Sequence, residues 1–438
     1  MNRHALQLLR EWKNSPRRKP LLVQGARQVG KTWLMQEFGR QEYQQVAYIN
    51  FMETRTAHSL FEGDLNPHDL LRQLAALTHT PIRAGETLVI LDEIQECERA
   101  LTSLKFFCEQ APEFHVMAAG SLLGVAMRHK KMSFPVGQTE FLELPPLNFF
   151  EFMEAVGEEL LGDLLQHSPA ESLTPFRPRL TELLRQYLYV GGMPEAVQCF
   201  AESNDYAQVR EVQQRILTGY ENDFSKYTDN RNIARIRAVW NSIPVQLAKE
   251  KKFTYGKVQQ GGRGRDFEEA IDWLQLCGLV HKVNRISKPA HPLAAYHESG
   301  VFKLFVADCG LLGALSRLDA AVLMEETGVF EEFKGALTEQ YVLQCLKAVP
   351  HLPVAYWSTP KGTAEVDFLI ELNGAIIPME VKATVNLKAK SLAEYRAKYA
   401  PPYAVRTSLA NYGVHEGLHS IPLYLMPRLL PLLTGSAQ

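Results

Sequence analysis

No apolar run in this chain reaches the roughly 18 residues needed to span a bilayer. His115 to Met127 is too short, and the C-terminal apolar stretch is broken by Pro422, Pro427 and Arg428. No membrane partner is expected. The basic N-terminus lacks the apolar core of a signal peptide, and the loose spacing of Leu6, Leu9 and Trp12 predicts a helix leading into the first strand. Cysteine is sparse: Cys97, Cys108, Cys199, Cys277, Cys309 and Cys345 are dispersed, with no C-x-x-C pair and no His cluster at zinc-ligand spacing. Buried reduced thiols in a cytoplasmic protein fit that pattern best. Excess positive charge is missing too, the formal net charge being −2, so contact with nucleic acid has to rest on local patches. No internal repeat or low-complexity tract stands out.

What is present is a chain of 438 residues, 46% apolar, which can bury large cores. By length it holds about two to four domains. Leu21 to Val23 reads as a buried strand, and Gly25-Ala26-Arg27-Gln28-Val29-Gly30-Lys31-Thr32 follows with the spacing G-x-x-x-x-G-K-T, before an apolar helical stretch at Trp33 to Phe38. Strand, loop and helix come in the order a phosphate loop requires. Gly25 and Gly30 let backbone N–H groups turn toward phosphates, Lys31 can reach the β- and γ-phosphates, and the Thr32 hydroxyl can ligate Mg²⁺. A site for ATP follows.

Further strands are expected at Gln45 to Phe51, Thr87 to Glu93 and His115 to Ala119, with a helix at Pro67 to Thr78. In a parallel sheet ligands bind at the carboxyl ends of strands, so Asp92 and Glu93 would arrive beside Lys31 and Thr32. Asp92 then suits Mg²⁺ binding, and Glu93 suits orienting the water that attacks the γ-phosphate. Ser121, after the third of these strands, either senses the γ-phosphate or caps the next helix, and the two roles are compatible.

The runs GARQVGKT, TLVILDEIQ, and AAGSLLG followed by FPVGQTEFLELPPLNFFEF resemble the bacterial and archaeal predicted AAA-type ATPases that carry a C-terminal domain of unknown function. The resemblance extends to Tyr187 to Val197 and to the words E-V-D-F-L-I and M-E-V-K-A. It implies an AAA-type core, a helical lid, a winged-helix-like segment and a nuclease-like end, and it assigns roles to Gly25, Gly30, Lys31, Thr32, Asp92, Glu93 and Ser121. AAA-type assemblies often complete the site with an arginine from a neighbouring subunit, which admits a homo-oligomer. Arg128 is a candidate, whereas Gln138 stands where a basic residue would be expected.

The middle reads as helical from Glu151 to about Tyr227, interrupted by a Pro-rich loop at Ser168 to Pro178 and by Gly191-Gly192-Met193-Pro194. Tyr220, Asp223, Lys226 and Tyr227 read as a solvated helix face rather than a functional cluster. A helix at Arg231 to Ala248, kinked or broken at Pro244, precedes helices at Thr254 to Gln259 and Asp266 to Cys277 and strands at Leu279 to Ile286 and Val301 to Val306. Three helices and a β-ribbon make a winged-helix order. Lys249, Lys251, Lys252, Lys257, Arg263 and Arg265 gather around the turn into the third helix, where phosphates of DNA or RNA could be neutralised. Glu268, Glu269 and Asp272 follow at once and keep open a winged helix used for packing.

At the C-terminal end Glu365 to Leu372 alternates as a strand, Asn373-Gly374 signals a tight hairpin, and Ala375 to Lys382 returns. Pro378 would need a bulge or an unpaired side. With a two-residue loop Asp367 faces Glu380, and carboxylates so placed repel unless a cation lies between them. Lys382 shares the face of Glu380. Asp followed by Glu-x-Lys is the arrangement of restriction-endonuclease-like enzymes: Asp367 and Glu380 would hold Mg²⁺ or Mn²⁺, Lys382 would orient the attacking water, and Glu339 would add a helix-borne acid. Lys388 and Lys390 could meet backbone phosphates.

The expected fold is α/β: an AAA-type P-loop ATPase core with a parallel sheet (1–150), a helical lid (151–228), a winged-helix-like segment (229–325) and a restriction-endonuclease-like PD-(D/E)xK domain (326–438). The expected function is ATP hydrolysis coupled to a metal-dependent nuclease-like domain acting on nucleic acid. The alternative is an ATP-controlled switch or scaffold whose last domain binds a partner without cleavage.

Overall fold

The computed structural model describes residues 3–120, 124, 137–225, 230–324, 331–359, 363–385 and 389–435. Ser121, Arg128, Lys226, Tyr227 and Lys388 lie outside the described residues. The chain divides into two compact units, Asn2–Pro145 with Leu276–Gly278, and Pro146–Gln275 with Leu279–Gln438.

In the first unit β1 (Leu21–Gln24), β2 (Gln45–Asn50), β3 (Thr87–Asp92), β4 (His115–Ala119) and β5 (Glu140–Glu143) form a sheet in the order β2-β3-β4-β1-β5. Every neighbouring pair is parallel. β3 and β4 are buried along their whole length, which is why both read as continuous apolar runs. Helices α1 (Ala5–Asn14), α2 (Lys31–Glu42), α3 (Arg55–Leu60), α4 (Pro67–Thr78) and α5 (Glu98–Gln110) complete the unit. α1 buries Leu6, Leu9 and Trp12. α4 starts where Asn66 Oδ1 accepts the amides of His68 and Asp69, at 3.0 and 3.2 Å. Leu22, Ile49, Phe51, Leu74, Leu91 and Phe107 belong to one buried cluster. Because the strands run parallel, β1 and β3 deliver their carboxyl ends to the same edge of the sheet.

The second unit begins with α6 (Phe149–Ala155), α7 (Glu159–His167), α8 (Arg177–Val190), α9 (Pro194–Ser203) and α10 (Tyr206–Asp223). The expected Pro-rich loop is instead largely a 3-10 helix, Ala170–Phe176. Gly191 and Gly192 after α8 allow a close backbone approach. A Cβ on Gly191 would lie 2.2 Å from Asp308 Oδ1, and one on Gly192 would lie 2.1 Å from the Leu147 carbonyl oxygen. Tyr220 and Asp223, expected on a solvated face, are buried, and the Tyr220 ring meets Trp240 edge-on. Periodicity could not show which face of α10 is covered, because that is set by the helix that follows in space.

That helix is α11 (Asn230–Lys249), which runs through Pro244 without a break. α12 (Tyr255–Val258), α13 (Gly264–Leu276), β6 (Val280–Ile286) and β7 (His297–Val306) follow in the three-helix-and-ribbon order, and α14 (Cys309–Leu315) and α15 (Ala320–Met324) come next. The ribbon is not a free-standing wing. β6 pairs with β8 (Val354–Ser358) through Arg285 opposite Tyr356 and Ile286 opposite Trp357, which makes the ribbon one end of an eight-stranded mixed sheet. That sheet also holds β9 (Glu365–Leu372), β10 (Ala375–Val381), β11 (Ala404–Ser408), β12 (Gly413–His415) and β13 (Leu418–Pro422), in the order β12-β13-β11-β10-β9-β8-β6-β7. A single sheet therefore crosses the division expected near residue 325. α16 (Glu331–Lys347) docks on β7, where Gln340 accepts the Val306 amide at 2.9 Å and donates to the Val306 carbonyl at 2.5 Å. α17 (Lys390–Tyr399) and α18 (Leu429–Thr434) complete the described elements.

Candidate functional site

The phosphate loop leaves β1 with Gly25 at φ +139°, and a Cβ there would stand 2.4 Å from the Leu144 carbonyl oxygen. Only glycine fits that approach. Gln28 and Gly30 also have positive φ, 66° and 91°, so the loop curls before α2 begins at Lys31. Buried Lys31 donates to the carbonyls of Gly25 (3.0 Å) and Ala26 (2.8 Å). Burial lowers its ammonium to about 8, against the opposing fields of Glu93 and Asp92. A triphosphate would offer that ammonium charged oxygens in place of neutral carbonyls.

The acidic end of β3 meets the loop as expected. Thr32 Oγ1 donates to Asp92 Oδ2 at 2.6 Å, Tyr48 donates to the same oxygen at 3.0 Å, and the Glu93 amide donates to Oδ1 at 3.0 Å. Thr32 and Asp92 thus share one locus, fit to hold Mg²⁺. Glu93 sits at φ +52°, a left-handed conformation that a non-glycine residue rarely adopts, and Gln95 donates to its Oε2 at 2.6 Å. Three residues here escaped sequence reasoning: Tyr48 and Gln95, which hold the two acids, and Arg3, which donates to the Val29 carbonyl at 3.1 Å and braces the loop. Arg3 carried no local signal. Nor did Tyr48, which reaches Asp92 only because β2 pairs beside β3, with Tyr48 opposite Ile90.

In the second unit the hairpin register is the one the two-residue loop dictates: Ala375 faces Leu372 and Met379 faces Phe368. Pro378 is accommodated without a bulge. The amides of Val381 and Lys382 point to opposite sides, to Asp367 Oδ2 (2.7 Å) and to the Thr407 carbonyl (2.9 Å). Alternation puts position 378 on the β11 side, where pairing starts only at Met379. At the open end of the hairpin Asp367 therefore accepts from the backbone, while Lys382 pairs with Glu380 at 2.7 Å.

Two further groups join them. Lys303 of β7 pairs with Glu339 of α16 at 3.2 Å and with Glu365 of β9 at 2.6 Å, and its ammonium lies 5.3 Å from the centre of the Tyr356 ring. Burial would lower this ammonium, but Glu339, Glu365 and Asp367 outweigh it and raise it. Asp367 is pushed well above the usual carboxylate range by burial, with Glu339 and Glu380 adding to the shift. Glu380 is raised by burial, with Lys382 opposing. Glu365 Oε2 and Glu380 Oε2 are buried without a hydrogen-bond partner. The donor set of carboxylate oxygens suits a hard divalent cation, although among the described residues no three His, Cys, Asp or Glu side chains already converge as a cage. Lys303 and Glu365 went unnoticed in the sequence because neither lies within the Asp, Glu-x-Lys spacing.

The basic residues expected near α13 are all at the surface: Lys249, Lys251, Lys252, Lys257, Arg263 and Arg265 are exposed. Lys257 is paired with Glu250 at 3.2 Å. No helix among the described residues is long and apolar enough to cross a membrane.

With this geometry in place, comparison with known proteins is informative. Residues 17–153 match the model of the AAA domain. Over those residues the chain is similar to AAA domains. Residues 181–322 and 334–426 match two domains of unknown function, DUF8612 and DUF4143. No curated protein matches. Among solved structures the chain is similar to the Walker-type ATPase PABY2304 of Pyrococcus abyssi, at 14% identity and TM-score 0.44 over 71% of this chain and 94% of that one. It is also similar to the ORC2 protein of Aeropyrum pernix in its ADPNP-ADP complexes, at 16% identity and TM-score 0.40 over 76% and 92%. The ORC1 protein of Aeropyrum pernix in complex with DNA matches at 15% identity and TM-score 0.28 over 74% and 95%. All three likenesses are remote.

Proposed function

We propose that the chain hydrolyses ATP and that its nucleotide cycle licenses a metal-dependent nuclease-like domain on nucleic acid. The observation that carries this reading is the coexistence in one chain of two phosphate-handling constellations, Lys31–Thr32–Asp92–Glu93 and Asp367–Glu380–Lys382 with Glu339. At the first, Gly25 to Thr32 wrap the phosphates, Thr32 and Asp92 hold Mg²⁺, and Glu93 orients the attacking water. At the second, Asp367, Glu380 and Glu339 would hold Mg²⁺ or Mn²⁺, which supplies Lewis-acid stabilisation of the charge that develops on a phosphodiester. Lys382, paired with Glu380, orients the water, and the exposed cations from Lys249 to Arg265 hold the backbone.

The test is cleavage of DNA and RNA with Mg²⁺ or Mn²⁺, with and without ATP. Wild-type cleavage that disappears in Lys382→Ala and Asp367→Ala is expected. Wild type indistinguishable from both variants in every condition removes the nuclease half. A second reading, a nucleotide-controlled switch whose last domain binds a partner without cutting, is favoured by Lys303, which already compensates two of the acids. It requires ATP hydrolysis that polynucleotides do not stimulate and no metal uptake at the hairpin.

A further inference from the structure

A cavity of about 540 Å³ opens in the second unit, lined by Tyr189 of α8, by Tyr206, Arg210 and Gln214 of α10, and by Arg317 and Asp319 from the link between α14 and α15. Neither the phosphate loop nor the hairpin contributes a residue to it. Arg210 is fixed in place by its surroundings. Its guanidinium lies 4.4 Å from the centre of the Tyr189 ring and donates to Gln213 Oε1 and to the Leu318 carbonyl, both at 2.8 Å. Gln213 is fully buried, and its amide donates to the Tyr189 and Val190 carbonyls at 2.8 and 2.9 Å, so its oxygen is turned to the arginine. Both acceptors are neutral, and burial lowers the guanidinium, with Tyr189 and Asp319 opposing. A cation drawn partly out of water and met by neutral oxygens favours an anion as its next partner.

Arg317 is the second cation of the cavity. The end of α14 closes with the Arg317 amide on the Ala314 carbonyl (3.1 Å) and the Leu318 amide on the Gly313 carbonyl (2.9 Å), a pattern that ordinarily seats glycine where Arg317 stands. Arg317 holds φ +55° there, a left-handed conformation that strains a residue with a Cβ. The chain thus carries an exposed arginine at the cavity where glycine would suit the helix end better. Among the described residues neither Arg210 nor Arg317 forms an ion pair. The rest of the wall indicates what carries the anion. Gln214 Nε2 donates to the Ala314 carbonyl at 3.1 Å, which leaves its Oε1 to accept, and Asp319 supplies a second acceptor, so the ligand should bring N–H or O–H donors. Tyr189 and Tyr206, edge to face at 5.1 Å, and the guanidinium plane of Arg210 offer flat surfaces for a planar ring. A bare phosphate or carboxylate would leave most of the space empty, since cavities of roughly 300–1,000 Å³ hold whole small molecules. We propose that this cavity binds a nucleotide, its phosphate on Arg210 and Arg317 and its base and ribose against the tyrosines, Gln214 and Asp319. Its source is a free mononucleotide or the phosphorylated end of a single strand.

The experiment is calorimetric titration of the whole chain with AMP, GMP, CMP and UMP, with the four matching nucleosides, and with 5′-phosphorylated tetranucleotides of each base. Each series is repeated in Lys31→Ala, which separates this cavity from the phosphate loop. At least one mononucleotide or tetranucleotide is expected to bind wild type and Lys31→Ala alike, and to bind Arg317→Gly at least about 10-fold more weakly. The matching nucleoside, which lacks the phosphate, is expected to lose about as much. Arg317→Gly relieves the left-handed backbone, so its melting temperature should not fall, and weaker binding then reports the lost side chain. A tetranucleotide that binds more tightly than its mononucleotide assigns the cavity to strand ends, and the reverse order assigns it to free nucleotides. No binding by any probe, a nucleoside as tight as its nucleotide, or binding that disappears in Lys31→Ala and persists in Arg317→Gly overturns the proposal. The comparison of nucleotide with nucleoside is made in wild type and decides even where a variant does not fold.

Discussion

At the scale of single residues, Glu93 and Asp308 each lead to a measurement. Glu93 has its backbone amide on Asp92 and its carboxylate on Gln95, so it is held from both ends where the attacking water would stand. Under the proposed function, Glu93→Gln keeps the shape and removes the carboxylate that orients the attacking water. Steady-state ATP hydrolysis is expected to fall about 10²- to 10⁴-fold while nucleotide binding, read by fluorescence of a labelled ATP, is retained. Asp308 is fully buried and accepts the amides of Gly192 (2.6 Å) and Leu311 (2.9 Å), and burial pushes its carboxyl up to about 6. An acid raised in the folded state contributes stability that is complete below its unfolded value, near 4, and is lost as pH rises through the folded one. Thermal unfolding from pH 4 to pH 7 should therefore show a loss on the order of 3 kcal/mol that Asp308→Asn flattens. A variant with the wild-type pH slope would assign that slope to other groups.

At the scale of elements, the start of α6 is a reciprocal cap: Asn148 Oδ1 accepts the Glu151 amide at 3.0 Å, and Glu151 Oε2 accepts the Asn148 amide at 2.8 Å. Asn148→Ala is expected to cost about 1 kcal/mol, seen as a lower melting temperature with ATP hydrolysis unchanged. Elements were also where sequence patterns read best. The helix Pro67–Thr78 and the strands His115–Ala119 and Glu365–Leu372 lie at the residues that periodicity and turn chemistry indicate, because each has its own cap, Gly or polar boundary. The exception is α11. A proline in a helix interior removes one backbone bond and crowds the preceding turn, yet the buried apolar positions Ile236, Val239, Trp240 and Ile243 keep the helix continuous through Pro244.

At the scale of the molecule, a net charge of −2 gives nucleic acid no global attraction, so the proposed binding would run through local cations such as the six exposed ones from Lys249 to Arg265. If all six met phosphates, the slope of log affinity against log salt would be no steeper than about −5. Reversing Lys251 and Lys252 to Glu should make it shallower by about 2 and weaken DNA and RNA alike, as measured by fluorescence anisotropy across salt concentrations. A slope unmoved by that double change would place the contact elsewhere. The two units also differ in how much of their layout could be read from the sequence. The parallel sheet of the first follows from strand–helix alternation, whereas the eight-stranded sheet of the second recruits β6 and β7 from a segment whose order of helices and ribbon, read alone, suggests a winged helix.

The sequence by itself determined the phosphate loop, the acidic end of β3 and the hairpin register that pairs Ala375 with Leu372 and Met379 with Phe368, since each is set by a short run in which spacing and turn geometry fix where residues go. Only the tertiary structure decided that Tyr48 and Gln95 hold the two acids of the first site, that Gly191 makes room for Asp308 and Gly192 for the Leu147 carbonyl, and that Lys303 joins Glu339 and Glu365. Those groups are brought together by sheet order and helix docking, and residues dozens of positions apart leave no periodic signal of the contact they will make.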